Sequence, residues 1–362
     1  MKKWKVAIIG CGMITEGFYI PEMKRIPKAE LVAVCDIDAE RAKNCAEMFG
    51  VPHWFSNVDE LFERCDFDIL MNNTSIPEHH EINMKALSKG KHLYSQKPIA
   101  LTVDEATEQI EAAKKANVKY SASPIHMIRP DILRAKEMIE DGVIGKVTVV
   151  RCSVSHGGPE YFQYRTADCS WFYESGSGAL VDMGVHGLTM TTGIMGPAKE
   201  VACMAAVTEP ERTIRSGNFD GKKIKSDNMP DAYLITLNWG DGRIGMIDTG
   251  YFQKATTNNH LEIYGTHGTI ALLKQIKIPD GDGLRVYVDN PEKNIRGWVD
   301  PMPQEMTPEF YQCQCIEDLI NAIENDTEPG LRPEHARHVI EILNTVPKAI
   351  EQKTALPLTT VF

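Results

Sequence analysis

The chain has 362 residues, enough for two domains at about 100 to 200 residues each. Hydrophobic residues make up 43% and charged residues 25%, an ordinary globular balance that excludes fibrous and disordered readings. With 39 Lys+Arg against 50 Asp+Glu the formal net charge is −11. No local basic patch offsets that charge, so nucleic acid and anionic membrane are not expected partners.

The first apolar run, Val6 to Ile9, opens directly into Gly10-Cys11-Gly12. It is too short for a signal or transmembrane segment, so a cytoplasmic protein is expected. Leu31 to Cys35 and Ile69 to Met71 read as further buried strands, bare of charge. Between and after them Ala39 to Phe49 and Thr102 to Ala116 have helical spacing. Thr102-Val103-Asp104-Glu105 is a capping box that fixes where the second of these helices starts. Strands alternating with crossover helices make a doubly wound parallel sheet.

After about residue 125 the pattern changes. One helix is predicted over Asp131 to Glu140, followed by alternating runs at Val147 to Ser155, Ala232 to Trp239, Ile244 to Tyr251 and Leu284 to Val288. The Asp-Gly step in Trp239-Gly240-Asp241-Gly242-Arg243 predicts a hairpin, hence antiparallel pairing. Glu309 to Ala322 and Pro333 to Glu351 read as two closing helices. The fold expected is therefore an N-terminal doubly wound α/β domain over residues 1–124 and an α+β domain with a large, mostly antiparallel open sheet over 125–362. Nine scattered cysteines with no C-x-x-C suit reduced, core-filling side chains, and no metal site is expected.

Gly10-Cys11-Gly12-Met13-Ile14-Thr15 follows a strand and opens a helix, the setting in which G-x-G-x-x-G seats a dinucleotide pyrophosphate. Thr15 occupies the place of the third glycine, which suggests a wider helix-strand contact. A G-x-G after a strand is also an ordinary turn. Asp36, at the end of the second strand, strengthens the dinucleotide reading, because an acidic group there binds ribose hydroxyls and repels a 2′-phosphate. NAD is thus favoured over NADP. Capping of the helix at Ala39 by Asp36 or Asp38 is the plainer alternative, and Arg41 offers a cation beside a 2′-phosphate.

At this point the chain resembles the Gfo/Idh/MocA family of nicotinamide-dependent oxidoreductases. The resemblance rests on the G-x-G opening and on Thr74-Ser75-Ile76-Pro77-Glu78-His79. It continues through Gly90-Lys91-His92-Leu93-Tyr94-Ser95-Gln96-Lys97-Pro98, then Gly178 through His186, and Glu262 through Thr269, in family order along the whole chain. It implies a Rossmann first domain, NAD as cofactor, and a sugar, glycoside or polyol as substrate; a homo-oligomer is expected separately, because the helices Asp131 to Glu140, Glu309 to Ala322 and Pro333 to Glu351 are too few to cover both faces of the second domain's sheet. It implies cofactor contacts at Gly10, Gly12, Met13, Ile14, Asp36, Thr74, Ser75, His79, Gln96 and Lys97. The chain departs from the family at Gln96, where the usual residue is Glu, and at Ser75, where it is Pro.

The residues themselves carry part of the chemistry. Lys97 precedes Pro98, which biases it toward an extended conformation and projects its amine from a strand end, where open α/β sheets bind ligands. Asp182 and His186 stand four apart, on one face of a helix if 178–195 is helical. The carboxylate then steers a hydroxyl whose proton His186 takes; an i,i+4 surface pair is the plain alternative. The family pattern makes Lys97, Asp182 and His186 the catalytic set, with the same three also touching substrate. His156, Tyr164, Arg165 and Trp171 lie in an aromatic-rich stretch that suits a sugar ring, or equally a subunit interface. The first reading is oxidation of a secondary hydroxyl to a ketone, for example at C3 of a glucoside. A glycoside hydrolase working by transient oxidation and elimination is the second, and a non-catalytic NAD sensor the third.

Overall fold

The computed structural model describes residues 2–161, 168–174, 176–215, 217–226, 228–272, 283–301 and 311–362. The chain separates into two compact units. One comprises Met1–Ile128, Phe310–Ile340 and Phe362; the other comprises Arg129–Glu309 and Glu341–Val361.

The first unit holds six strands: β1 (Trp4–Ile9), β2 (Ala29–Cys35), β3 (His53–Phe55), β4 (Ile69–Asn72), β5 (His92–Ser95) and β6 (Tyr120–Ala122). Their order is β3-β2-β1-β4-β5-β6 and every pair is parallel. Four strand–strand connections carry helices: α1 (Ile20–Met23), α2 (Ala39–Phe49), α3 (Val58–Arg64) and α4 (His79–Ser88); α5 (Val103–Ala116) supplies the fifth, between β5 and β6. Val6, Ala7, Ile8 and Ile9 are all buried. A strand covered on both faces shows no polar alternation, which is why the run reads as continuous. Thr102 caps α5 through its hydroxyl, and the Glu105 carboxylate accepts the Thr102 N–H in return, so the capping box falls on the expected residue. Asp38, rather than Asp36, caps α2, accepting from the Glu40 and Arg41 N–H groups.

The helix expected from Glu309 begins at Gln314 and runs to Asn325. Residues 302–310 lie outside the described chain. Just before it, the Cys313 N–H donates to Glu22 Oε2 at 3.1 Å, and the Cys313 thiol donates to the Tyr19 carbonyl at 3.0 Å. All nine cysteines are free.

The second unit contains α6 (Pro130–Glu140) and α7 (Val185–Met195). Its strands are β7 (Val147–Ser155), β8 (Glu200–Ala206), β9 (Glu211–Thr213), β10 (Lys223–Lys225), β11 (Ala232–Asn238), β12 (Ile244–Gly250), β13 (Leu261–Gly265), β14 (Gly268–Leu272), β15 (Leu284–Asn290), β16 (Ile295–Val299) and β17 (Leu356–Pro357). Nine of them form one sheet in the order β16-β15-β14-β13-β7-β12-β11-β8-β17, and β9 pairs with β10 apart from it. The Asp-Gly turn joins β11 to β12 antiparallel, as expected. The sheet is nonetheless mixed, because β7 and β12 pair in parallel. Helix α7 packs on β7 and β12. Alternation along β11 then places Tyr233, Ile235 and Leu237 inside, and leaves Leu234 and Thr236 exposed on the other face. No helix among the described residues is long and apolar enough to cross a membrane.

Candidate functional site

In the first unit, strand order reverses between β1 and β4, which places a crevice at their carboxyl ends. The chain leaves β1 through Gly10, whose φ of +95° a side-chain-bearing residue rarely adopts. A Cβ there would sit 2.5 Å from the Asn73 carbonyl, so only glycine lets the turn approach β4 this closely. At Gly12 a Cβ would meet nothing within 4 Å, and the space in front of the loop is open. A helix starts at residue 13, led by Met13 and Ile14, whose N–H groups come too early in the helix for an intrahelical partner, whereas those of Thr15 and Glu16 bond the Gly12 carbonyl. These features fit a pyrophosphate.

Thr15 explains the missing third glycine. Its buried hydroxyl donates to the Gly10 carbonyl at 2.6 Å and accepts from Asn73 Nδ2 at 3.0 Å, tying loop, helix and β4 together. The backbone accommodates it with a wide π turn over Thr15–Tyr19. Asp36, only 6% exposed, accepts from the Cys11 N–H at 2.9 Å and the Asp38 N–H at 3.0 Å. It therefore anchors the glycine loop itself, while Arg41 Nη1 lies 3.4 Å from its other oxygen.

The Thr74-to-His79 and Gln96-to-Pro98 motifs meet through His79, which is 1% exposed. Its Nδ1 lies 2.7 Å from the Pro98 carbonyl and its Nε2 3.1 Å from the Thr74 carbonyl. Burial pushes this imidazole below its usual range, against the opposite pull of the two carbonyls. His79 thus acts as a brace between the two segments. Thr74 is half-buried and Ser75 exposed. Gln96 is buried and held by its own amide: Nε2 donates to the Tyr19 hydroxyl, and Oε1 lies 3.3 Å from the Lys97 N–H and 3.4 Å from Ser123 Oγ. Tyr19 in turn bonds Tyr94 at 2.8 Å. This tyrosine pair gives a neutral amide a fixed orientation where the family usually has a carboxylate. Lys97 follows β5 by two residues, is half-buried, and joins Pro98 through a cis peptide.

In the second unit, Asp182 sits in a second π turn, Leu180–Gly184, which runs straight into α7 and His186. The wide turn means the i,i+4 spacing does not carry ordinary α-helical geometry. Asp182 Oδ2 accepts from the Tyr251 hydroxyl at 3.0 Å, and His156 Nε2 lies 4.0 Å away. The His156 ring stacks on Tyr251 with centroids 5.1 Å apart and planes 16° from parallel. Its Nδ1 accepts the Gly158 N–H at 2.9 Å. A backbone amide can only donate, so the neutral ring carries its proton on Nε2 and presents a donor toward Asp182. Trp171 is half-exposed and stacks on Phe172 at 3.7 Å. Tyr164 and Arg165 lie outside the described residues.

Tyr251 escapes sequence reasoning because it follows the end of β12 and reads as a strand aromatic. Gly250 before it is the available signal. A Cβ at Gly250 would fall 2.2 Å from the Asp231 carbonyl, and that close approach lets Tyr251 N–H donate to the same carbonyl at 2.7 Å.

The fold and these residues together define a dinucleotide-binding α/β protein that also carries a carboxylate-histidine-tyrosine cluster in its second unit. The model of an oxidoreductase family with an NAD-binding Rossmann fold matches residues 4–123, and that of the GFO/IDH/MocA C-terminal domain matches residues 132–271. The chain belongs to the Gfo/Idh/MocA family of oxidoreductases, and its first unit is an NAD-binding Rossmann fold. It is 22% identical to myo-inositol 2-dehydrogenase of Thermotoga maritima, across 98% of each chain. It is 27% identical to levoglucosan dehydrogenase of Pseudarthrobacter phenanthrenivorans, over 73% of this chain and 69% of that one. A levoglucosan dehydrogenase structure in complex with NADH superposes with a TM-score of 0.83 at 20% identity, covering 99% of this chain and 100% of the other.

Proposed function

We propose that this protein is an NAD-dependent dehydrogenase that oxidises a secondary hydroxyl of a sugar, glycoside or polyol to a ketone, with C3 of a glucoside as one candidate position. The observation that carries the reading is the Asp182 carboxylate, oriented by Tyr251 one turn before His186 on the same helical segment. A non-catalytic NAD sensor has no use for such an arrangement. Its relatives named for inositol and levoglucosan dehydrogenation support the substrate class.

Bound NAD would supply the acceptor for a hydride from the carbinol carbon. His186 takes the hydroxyl proton, Asp182 orients that hydroxyl, and Lys97 binds and polarises the oxygen as it becomes a carbonyl. One C–H and one O–H bond break, one C=O π bond forms, and reduced cofactor and a proton leave with the ketone. Incubating the protein and NAD with monosaccharides, inositols and glycosides tests this, provided both reduced cofactor and sugar products are followed. Ketone formation matched by reduced cofactor supports the reading. Free sugar released from a glycoside without reduced cofactor points instead to elimination and hydrolysis, and no reaction across the panel overturns it.

NAD is proposed over NADP because an acidic residue at the end of β2, here Asp36, suits ribose hydroxyls and repels a 2′-phosphate. Asp36→Ala should weaken NAD about 10- to 100-fold, the range for hydrogen bonds to a charged group, and narrow its advantage over NADP, because loss of the Cys11 N–H anchor handicaps both cofactors while loss of the repulsion favours NADP alone. A fluorescence titration in which the unmodified protein binds NADP as well as NAD contradicts the assignment.

The protein is also proposed to assemble as a homo-oligomer. Helix α7 packs on one face of the nine-stranded sheet at β7 and β12, whereas the opposite face shows Met204 at 78% and Leu234 at 53% exposure, paired across β8 and β11. Apolar side chains side by side on an open sheet face favour a covering surface. Light scattering at micromolar concentration should give a multiple of the 40.5 kDa chain mass, and a monomer mass rejects the proposal.

A further inference from the structure

Beneath the Asp182 cluster lies a charged core that the proposed reaction does not use directly. Arg212 has a fully buried side chain; Nη1 pairs with Glu160 Oε1 at 2.7 Å and Nη2 with Asp231 Oδ2 at 2.5 Å. Both nitrogens also lie 3.3 Å from the Tyr251 carbonyl. The Tyr251 N–H donates to the Asp231 carbonyl, so guanidinium and aspartate together grip the backbone of one residue from both sides. The ring of that residue is gripped as well. His156 stacks on one face, and Tyr173, whose hydroxyl donates to Glu160, meets the ring edge-on at 5.6 Å. A side chain fixed at its backbone and at its ring has few rotamers left for its hydroxyl. That hydroxyl points at Asp182 Oδ2.

We propose that Tyr251 is a positioning residue of the dehydrogenase reaction, holding the Asp182 carboxylate by its hydroxyl in the orientation that steers the substrate hydroxyl toward His186. The inference rests on the dehydrogenase reading above. Asp182 is placed in a wide π turn, where the helix backbone restrains it less than an α turn would. A donor from outside the turn, the Tyr251 hydroxyl, therefore helps to hold its rotamer. One Oδ2 lone pair is taken by Tyr251, and His156 presents Nε2–H to the same oxygen at longer range. Misplacement of a catalytic carboxylate by about 1 Å is enough to cost substantial rate. Tyr251 acts through Asp182, so its loss should slow the chemical step and leave substrate affinity nearly unchanged.

The test is Tyr251→Phe, which removes one oxygen and keeps the ring between His156 and Tyr173. It is made in the unmodified chain and in Asp182→Ala, using the sugar or polyol the unmodified protein oxidises fastest. Expected results are a kcat about 10- to 100-fold lower in the unmodified chain, KM within about threefold, NAD affinity unchanged, and a melting temperature close to the original. In Asp182→Ala the same substitution should change hydride transfer by less than about twofold, because the residue it serves is gone. Equal losses in both backgrounds, a raised KM with kcat intact, or no loss at all would overturn the proposal while leaving the dehydrogenase reading in place. Absence of hydride transfer in the unmodified protein across the whole panel would instead bring down that reading, and this proposal with it.

Discussion

His186→Ala and Lys97→Met are each expected to slow hydride transfer by about 10² to 10⁴, the range for losing a positioned acid or base, while the fold and most NAD affinity survive. Neither side chain belongs to the glycine loop or to the Asp36 anchor, which are proposed to hold the pyrophosphate and adenosine ends of the cofactor. In the proposed reaction both residues serve one event at one oxygen: His186 removes its proton as Lys97 stabilises the charge left behind. The double variant should therefore lose less than the product of the two single losses. Asp182→Asn should cost more in turnover than in NAD affinity, since it touches substrate orientation only. His156 is a poor substitute for the base. Its Nδ1 lone pair is committed to the Gly158 N–H and its Nε2 carries the proton, so the neutral ring has no site left to accept one. Stopped-flow reduction of bound NAD in a single turnover measures the step itself, free of product release. A His186→Ala protein that reduces bound NAD at close to the original rate falsifies the assignment.

The parts of this architecture that the sequence discloses are those set by neighbours in the chain. Thr102 and Glu105 form their capping box within one turn, so residue identity alone places the start of α5. Val6 to Ile9 reads as a buried strand because both its faces are covered, and the Asp-Gly step fixes the β11–β12 hairpin through its own backbone preference. Lys97, Asp182 and His186 become candidates only through the family pattern, since spacing alone does not separate the last two from a surface pair. What stayed hidden depends on distant partners. The parallel pairing of β7 with β12 joins Val149 to Ile244 across intervening strands, and no local alternation distinguishes it from an antiparallel pair. The two π turns, at Thr15–Tyr19 and Leu180–Gly184, have a spacing that a 3.6-residue pattern cannot report. Both carry residues of the candidate site, where such turns recur. Arg212 sits in a three-residue strand made only of polar residues, Glu211 to Thr213, and reads as one more surface cation. Its partners Glu160 and Asp231 come from other segments of the second unit, and only the fold makes it buried.

Arg212 is for that reason the position where a single substitution should cost the most stability. Arg212→Met leaves Asp231 and Glu160, both almost fully buried, without their shared cation. Removing one partner of a buried ion pair costs about 3 to 5 kcal/mol, much more than the net worth of the pair itself. Arg212→Lys should recover only part of the loss, because an ammonium cannot offer two nitrogens to two carboxylates in one plane. Combining Arg212→Met with Glu160→Gln and Asp231→Asn removes the uncompensated charges and should restore more of it. The pH dependence has a definite sign. Burial pushes Asp231 upward, but donation from the Thr208 N–H and hydroxyl and from Arg212 outweighs it, so its carboxyl titrates below the usual value. A depressed folded-state carboxyl contributes stability above its unfolded value of about 3.9, and loses it as pH falls through the folded value. In Arg212→Met the buried carboxylate has lost the cation that favoured its charge, and protonation relieves it. The stability gap between the unmodified protein and Arg212→Met should therefore be widest near pH 7 to 8 and narrow toward pH 4.5. Urea unfolding at both pH values measures it. A gap under about 1 kcal/mol, or one that widens on acidification, would mean that Arg212 does not neutralise these two carboxylates in the folded protein.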